Sequence, residues 1–132
     1  MAQTITRPVA EMVAEAKAEI EELDVEAVRK ALNEGAVQLI DIRDVRELRR
    51  EGRVEEAFHC PRGMLEFWID PDSPYAKPVF TQDVKYVFFC AGGMRSALAA
   101  KTAQDMGLAP VAHLIGGFGA WKSSGAPVLS DD

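Results

Sequence analysis

The chain has 132 residues, which is the length of one domain with a substantial buried core. Hydrophobic residues make up 48% and charged residues 27%, which is an ordinary composition for a globular protein. The formal net charge of −6 argues against nucleic acid as a partner, and the lack of a long apolar stretch argues against a membrane. The two cysteines, Cys60 and Cys90, fit neither a disulfide framework nor a zinc site, so we expect a cytoplasmic protein with reduced thiols and without metal or cofactor.

The first 23 residues predict an amphipathic helix that precedes the main domain. Thr6 and Pro8 are typical of a helix start, and apolar side chains then recur at helical spacing between glutamates over 9–23. Such a helix packs either on the domain itself or on another molecule. We therefore expect an N-terminal helical extension over 1–23 that could support a protein partner or self-association.

Strands and helices alternate along the rest of the chain. Alternation of this kind predicts a parallel sheet covered on both faces, with ligands at the carboxyl ends of the strands. The predicted strands are 36–42, 57–60, 84–89 and 111–115, and the predicted helices are 25–33, 44–50, 62–70, 97–106 and 118–123.

Cys90 stands where a predicted strand ends and a loop with Gly92 and Gly93 leads into a helix. Glycine allows backbone conformations closed to other residues, so the loop can curl with its N–H groups pointing at the sulfur. Together with the helix N-terminus, such a cradle stabilises a thiolate, or a persulfide whose outer sulfur is charged. Sulfur transfer between thiolates needs no acid–base dyad. We therefore predict a nucleophile at Cys90, cradled by Ala91, Gly92, Gly93, Met94, Arg95 and Ser96.

Three polar side chains near this loop have more than one interpretation. Arg95 either binds an anionic substrate or braces the loop by pairing with Asp41 or Glu47. Ser96 is expected to cap the following helix, with a hydroxyl that can also reach the sulfur. Arg62 either attracts an anion at the mouth of the pocket or is solvated.

The other residues capable of chemistry are expected to be structural. Cys60 is predicted to lie in the core, and the alternative is a resolving thiol that forms a disulfide with Cys90. Charges at strand ends are usually paired, and buried histidines usually make satisfied hydrogen bonds. The residues assigned to these roles are Asp41, Arg43, His59 and His113.

Three segments, in this order and spacing, resemble a rhodanese domain. The first lies within 39–63 and contains Leu39-Ile40-Asp41-Ile42-Arg43 and Ala57-Phe58-His59-Cys60-Pro61-Arg62-Gly63. The second is the loop Phe89-Cys90-Ala91-Gly92-Gly93-Met94-Arg95-Ser96-Ala97. The third is Leu114-Ile115-Gly116-Gly117-Phe118-Gly119-Ala120-Trp121, followed by Gly125-Ala126-Pro127-Val128.

The resemblance implies both a fold and an activity. The fold is a three-layer α/β/α domain over 24–129 with a central, mostly parallel, five-stranded sheet, followed by a tail at 130–132. The activity is that of a thiosulfate sulfurtransferase in which Cys90 carries sulfur as a persulfide. The expected donor is thiosulfate or a related small anion, and the expected acceptor is cyanide or a thiol.

Two other functions remain open at this point. Phosphatases and arsenate reductases use a related Cys-loop-Arg arrangement, although the related phosphatases have a loop one residue longer and usually a histidine before the cysteine, where this chain has Phe89. The other function is a non-enzymatic sulfur-relay or partner-binding module that docks through helix 9–23.

Overall fold

The computed structural model describes residues 2–130. A five-stranded sheet lies at its centre, and its strands are β1 Glu21–Leu23, β2 Val37–Asp41, β3 Ala57–His59, β4 Lys85–Phe89 and β5 Val111–Leu114. The strands lie side by side in the order β1-β5-β4-β2-β3, and each neighbouring pair is parallel. The predicted α/β architecture is therefore confirmed, and the sheet is wholly parallel.

Six α-helices surround this sheet within the described residues. Two short 3-10 turns, Arg62–Met64 and Pro78–Thr81, lie between β3 and β4. The helices are α1 Val9–Glu19, α2 Val25–Asn33, α3 Val45–Glu51, α4 Leu65–Ile69, α5 Met94–Met106 and α6 Gly117–Ser123.

The sheet separates two apolar cores because successive side chains of a strand point to opposite faces. Ile40 and Phe88 face the side covered by α4 and α5, whereas Leu39 and Val87 face the side covered by α2 and α6. All four side chains are fully buried. The central strands are therefore apolar on both faces, which explains their nearly continuous hydrophobic sequences and produces the three layers.

The N-terminal helix is shorter than predicted, because α1 ends at Glu19 and Ile20 adopts an extended backbone. Glu21–Leu23 form an edge strand beside β5, where the amide of Ile115 donates to the carbonyl of Leu23 at 2.8 Å. The prediction of helix over 9–23 is thus wrong for its last residues. Pairing with β5 satisfies backbone groups that would otherwise line an open sheet edge, and this outweighs the local helical pattern.

The carboxyl ends of the central strands meet at one edge of the sheet. There the amide of Ile42 donates to the carbonyl of Phe89 at 3.0 Å, and the amide of Cys60 donates to the carbonyl of Asp41 at 2.9 Å. Cys90 is the residue immediately after β4. The topology therefore places Cys90 at the edge where parallel α/β proteins bind their ligands.

Two further expectations concern the ends of the chain and its helices. None of the described helices combines the length and apolar character needed to cross a membrane. Of the expected tail at 130–132, positions 131 and 132 lie outside the described residues. Met1 of the expected extension lies outside them too.

Candidate active site

The Cys90 sulfur lies in a cradle of backbone N–H groups. The Gly93 amide donates to Cys90 Sγ at 3.1 Å, and the Ser96 amide donates to it at 3.4 Å. Gly93 has a φ of 106°, a left-handed conformation that lets the loop turn sharply into α5. Cys90 itself is only 2% exposed. The loop therefore holds the sulfur as the sequence predicts, with amides directed inward.

These hydrogen bonds decide the protonation of Cys90. Burial acts to raise the pKa of the thiol, but once the thiol is ionised, hydrogen bonds from the Ser96 hydroxyl and from the amides of Ser96, Gly93 and Gly92 to the thiolate more than offset it. The net result is a pKa below the ordinary value of 9.0. A group with a lowered pKa in a partly enclosed site has the properties of a reactive rather than a structural cysteine.

The start of α6 holds the other side of the Cys90 loop. The Phe118 amide donates to the Cys90 carbonyl at 2.8 Å, and the Gly119 amide donates to the Ala91 carbonyl at 3.0 Å. Gly117 has a φ of 59° and lies so close that a Cβ there would be 2.4 Å from the Cys90 carbonyl oxygen. With both carbonyls bound to α6, the amides that follow remain available to the sulfur.

Arg95 braces the loop from outside. Its guanidinium forms a two-pronged ion pair with Glu47, at 2.9 and 3.0 Å, and the hydrogen bond from Arg95 is the main reason that the pKa of Glu47 falls from 4.5 to about 2. Asp41 is not its partner, because Asp41 pairs with Arg43 at 2.7 Å. Of the expected interpretations of Arg95, the structure shows the ion pair with Glu47.

A pocket of about 370 Å³ opens over Cys90 and is mainly apolar. One wall comes from α1, which its sequence pattern predicts to be an extension that precedes the main domain. The opposite wall comes from the start of α5. Its lining residues are Val9, Val13, Cys90, Gly92, Met94, Arg95 and Leu98. The N-terminal helix is therefore part of the candidate active site.

Ser96 does not cap α5, contrary to the prediction. The helix begins at Met94 after Gly93, because the left-handed glycine starts it three residues earlier than the serine would. Ser96 instead lies in the first turn and is fully buried. Its hydroxyl is 3.5 Å from Cys90 Sγ, so the expected contact with the sulfur is present.

His113 is a neighbour of this site, although its sequence context predicts only a structural role. Its Nδ1 lies 2.9 Å from Ser96 Oγ, and its Nε2 lies 2.9 Å from a carboxylate oxygen of Glu22. His113 is 1% exposed, so both ring nitrogens are satisfied by protein groups. No local motif indicates this contact, since it depends on the pairing of β1 with β5.

The structure does not bring Arg62 to the Cys90 pocket. Arg62 pairs with Glu66 at 2.9 Å, one helical turn further along the chain. It lines a separate groove of about 450 Å³ that also includes Arg7 of the N-terminal segment and Lys101 of α5. The expected attraction of an anion by Arg62 would therefore act at that groove rather than at the sulfur.

The remaining polar residues of the predicted motif support the fold. Asp41 and Arg43 form a fully buried pair, and Arg43 also donates to the Gly52 carbonyl at 3.0 Å. His59 Nε2 lies 2.6 Å from the Arg43 carbonyl oxygen. Cys60 is fully buried in the core, where desolvation raises its pKa to about 12. A thiol with so high a pKa is poorly suited to resolve a disulfide.

Comparisons with known proteins concern the chain as a whole rather than single residues. The family model for the rhodanese-like domain matches residues 24–124. The protein YtwF of Bacillus subtilis (strain 168), which has a provisional sulfurtransferase name, is 30% identical over 110 residues, covering 83% of this chain and 97% of that protein.

Two solved structures extend the comparison. The polysulfide-sulfur transferase homodimer of Wolinella succinogenes is 32% identical with a TM-score of 0.69, covering 92% of this chain and 86% of that one. A Rhodopseudomonas palustris protein, described as of unknown function and a possible tyrosine phosphatase, is 58% identical with a TM-score of 0.93, covering 98% of this chain and 99% of that one. The family match, the sulfurtransferase relatives and the shared fold together show that the chain belongs to the rhodanese-like domain family, which supports sulfur transfer in general.

Proposed function

We propose that this protein transfers sulfane sulfur through a persulfide on Cys90, from thiosulfate or a related donor to a thiol or cyanide. The observation that carries the proposal is the position of Cys90 Sγ, which accepts hydrogen bonds from the Gly93 and Ser96 amides and borders an open pocket. Amides that stabilise a thiolate can equally stabilise the charged outer sulfur of a persulfide. The site therefore suits both forms of the carrier.

The reaction takes place in two displacements at sulfur. The Cys90 thiolate attacks the sulfane sulfur of the donor, a new S–S bond forms, and the bond to sulfite breaks, so that sulfite leaves with the electron pair. The acceptor thiolate then attacks the outer sulfur of the Cys90 persulfide, and the Cys90 thiolate leaves. With cyanide as acceptor, the product is thiocyanate. Atoms and charge balance in each step.

The chemistry of the pocket favours a donor with little negative charge. Its walls are mostly aliphatic, from Val9, Val13 and Leu98 among others, and its cation, Arg95, is already paired with Glu47. A sulfonate group would have to lose water without gaining a free positive charge. We therefore rank an organic persulfide ahead of thiosulfate. Polysulfide is a dianion like thiosulfate, so the pocket does not favour it by charge, and it is tested because the similar Wolinella protein is a polysulfide-sulfur transferase.

Intact mass spectrometry tests the carrier directly. The reduced protein is incubated with polysulfide or with thiosulfate, and we expect a gain of one sulfur atom that cyanide removes. The gain should be lost in Cys90→Ser and kept in Cys60→Ser, because Cys60 is a core thiol with a raised pKa. Sulfur that stays on the Cys90→Ser protein would contradict the proposal.

A phosphatase or an arsenate reductase is the second candidate, because the similar Rhodopseudomonas structure is described as a possible tyrosine phosphatase. In such enzymes a free arginine would hold the oxyanion, whereas here both ends of the Arg95 guanidinium bind Glu47. Phosphate-ester hydrolysis, arsenate reduction and cyanide-dependent thiocyanate formation are measured on one preparation. Turnover of the ester or of arsenate without thiocyanate formation would replace the proposed function with this one.

A further inference from the structure

A buried line of hydrogen bonds leads from Cys90 to the far edge of the sheet. Cys90 Sγ lies 3.5 Å from Ser96 Oγ, and Ser96 Oγ lies 2.9 Å from His113 Nδ1. His113 Nε2 then lies 2.9 Å from Glu22 Oε2. Ser96 and His113 are both shielded from solvent, whereas the Glu22 side chain is one-third exposed. The line therefore starts at the sulfur and ends at the protein surface.

The fold brings these residues together from three distant parts of the chain. Ser96 lies in the first turn of α5, His113 on β5 and Glu22 on β1. Glu22 and His113 are register partners in the parallel β1–β5 pair, so their side chains point to the same face of the sheet. The His113 ring also lies beside the Cys90 loop, since a Cβ on Gly93 would be 3.9 Å from its Cε1.

The partners of His113 fix the direction of the hydrogen bonds. The Glu22 carboxylate can only accept, so Nε2 of His113 must carry a proton. In the neutral ring Nδ1 then holds a lone pair and accepts from the Ser96 hydroxyl. The oxygen of Ser96 is left to accept from the Cys90 thiol, in agreement with the donor role of Sγ in that contact. Each donor along the line therefore points away from the sulfur.

We propose that His113 is a positioning residue which, through Ser96, takes up the proton of the Cys90 thiol and thereby prepares the nucleophile. The proton on Sγ passes to Ser96 Oγ as the Ser96 proton passes to His113 Nδ1. Thiol and neutral imidazole become thiolate and imidazolium, and no electrons are exchanged. The Glu22 carboxylate holds the imidazolium that forms. This inference rests on the proposed function only in taking Cys90 as the nucleophile.

The other charged groups around Cys90 are already compensated among the described residues. Arg95 of α5 is near enough to interact with the thiolate, but it forms a two-pronged pair with Glu47 of α3. On β2, Asp41 is paired with Arg43. The hydrogen-bond line to His113 is therefore the route by which a proton can leave the buried sulfur without a solvent molecule.

The test measures the rate at which iodoacetamide alkylates Cys90 as a function of pH, since only the thiolate reacts. We expect His113→Gln to move the midpoint of this profile upward by about one pH unit, which is a tenfold loss of thiolate at acidic pH. Ser96→Ala should move it in the same direction. All variants are made in the Cys60→Ser background, so that alkylation of Cys60 does not contribute to the measured rate.

Glu22→Gln is the decisive variant because two explanations predict opposite shifts. Removing a carboxylate near a thiol would by itself stabilise the thiolate and move the midpoint to lower pH. If Glu22 holds the imidazolium, its loss moves the midpoint to higher pH. The matched control is Glu21→Gln, next to it on β1, whose side chain pairs with Lys85 and which should leave the profile unchanged.

The outcomes separate this inference from the proposed function, because alkylation needs no sulfur donor. Profiles of Glu22→Gln that coincide with the wild type, or that shift to lower pH, would overturn the role of His113 even if persulfide transfer were observed. An upward shift supports that role even if no donor loads Cys90. If His113→Gln fails to fold, Glu22→Gln still decides, since its side chain lies at the exposed end of the line.

Discussion

Gly117 sets the direction of the backbone that cradles the sulfur, although it lies far from Cys90 in sequence. A Cβ at this position would come within 2.4 Å of the Cys90 carbonyl oxygen and 2.8 Å of the Ala91 carbonyl oxygen. We expect Gly117→Ala to lower the free energy of unfolding by about 1–2 kcal/mol for the left-handed backbone, and by about 1–3 kcal/mol more for the steric clash. Because the clash falls on the loop, persulfide loading should also fall. Urea unfolding and intact mass spectrometry measure the two effects.

Gly125→Ala provides the matched control for this prediction. Gly125 also has a positive φ, of 83°, but a Cβ there would meet nothing within 4 Å. Gly125→Ala should therefore lower the free energy of unfolding only by the backbone contribution of about 1–2 kcal/mol. Persulfide loading of Cys90 should stay normal. Equal stability and equal loading of the two variants would show that the close contact of Gly117 with the loop has no effect.

The sequence predicts the loop around Cys90 because that information is local. Cys90, Gly92 and Gly93 follow one another at a strand end, and the hydrogen bonds they form span only a few residues. The contact of Ser96 with His113 spans 17 positions, and that of His113 with Glu22 spans 91. Such pairs depend on strand order and register, which hydrophobic periodicity does not specify.

At the scale of elements, α1 and β1 are built into the domain rather than attached to it. Val13 and Ala16 of α1 are buried against Ala97 of α5, and β1 closes one edge of the sheet. We expect deletion of 1–23 to lower the urea midpoint strongly, since burial of Val13 alone contributes about 1.5–3 kcal/mol. Persulfide loading should fall as well, because the deletion removes a wall of the pocket.

Deletion of residues 2–6 is the control for the larger truncation. These residues are exposed and precede α1, so their loss should change neither the urea midpoint nor the loading of Cys90. If deletion of 1–23 also left both quantities unchanged, the segment would be a separable extension. Its role would then be the recruitment of a partner, which is one of the alternatives that its sequence pattern leaves open.

The strand β1 escapes prediction for a physical reason. Its three residues include two glutamates, Glu21 and Glu22, so it has neither the β-branched content nor the alternation that indicates a strand. Ile20 and Leu23 continue the helical spacing of α1, and both pack against the cores. The pairing with β5, which local sequence does not reveal, stabilises the extended form instead.

At the scale of the whole molecule, one edge of the sheet combines the Cys90 sulfur with the ion pairs that fix its surroundings. Cys90 follows β4, and the buried Asp41–Arg43 pair lies at the end of β2 directly beside it. Arg43 also stacks over Phe118 of α6, with its guanidinium carbon 4.1 Å from the ring centroid. The buried charges therefore tie β2 and α6 together on either side of the Cys90 loop.

The Glu47–Arg95 pair connects α3 to α5 across this edge and makes the stability of the whole domain depend on pH. The pKa of the Glu47 carboxyl is about 2 in the folded protein, against an ordinary value of 4.5. A carboxylate with a lowered folded pKa stabilises fully above pH 4.5, and this contribution is lost as the pH falls from 4.5 towards 2. Because the Arg95 side chain is 45% exposed, solvent screens the pair, and we expect a loss of about 1 kcal/mol.

Glu47→Gln should therefore be less stable than the wild type at pH 7, and the difference should shrink as the pH falls from 4.5 to 2. Urea unfolding followed by tryptophan fluorescence at several pH values measures this difference. Glu66→Gln is the control, because Glu66 also pairs with an arginine but its side chain is 44% exposed, so its loss should change stability little. A difference for Glu47→Gln that stays constant down to pH 2 would show that the ion pair with Arg95 does not contribute to stability, and that the brace on the Cys90 loop acts through packing alone.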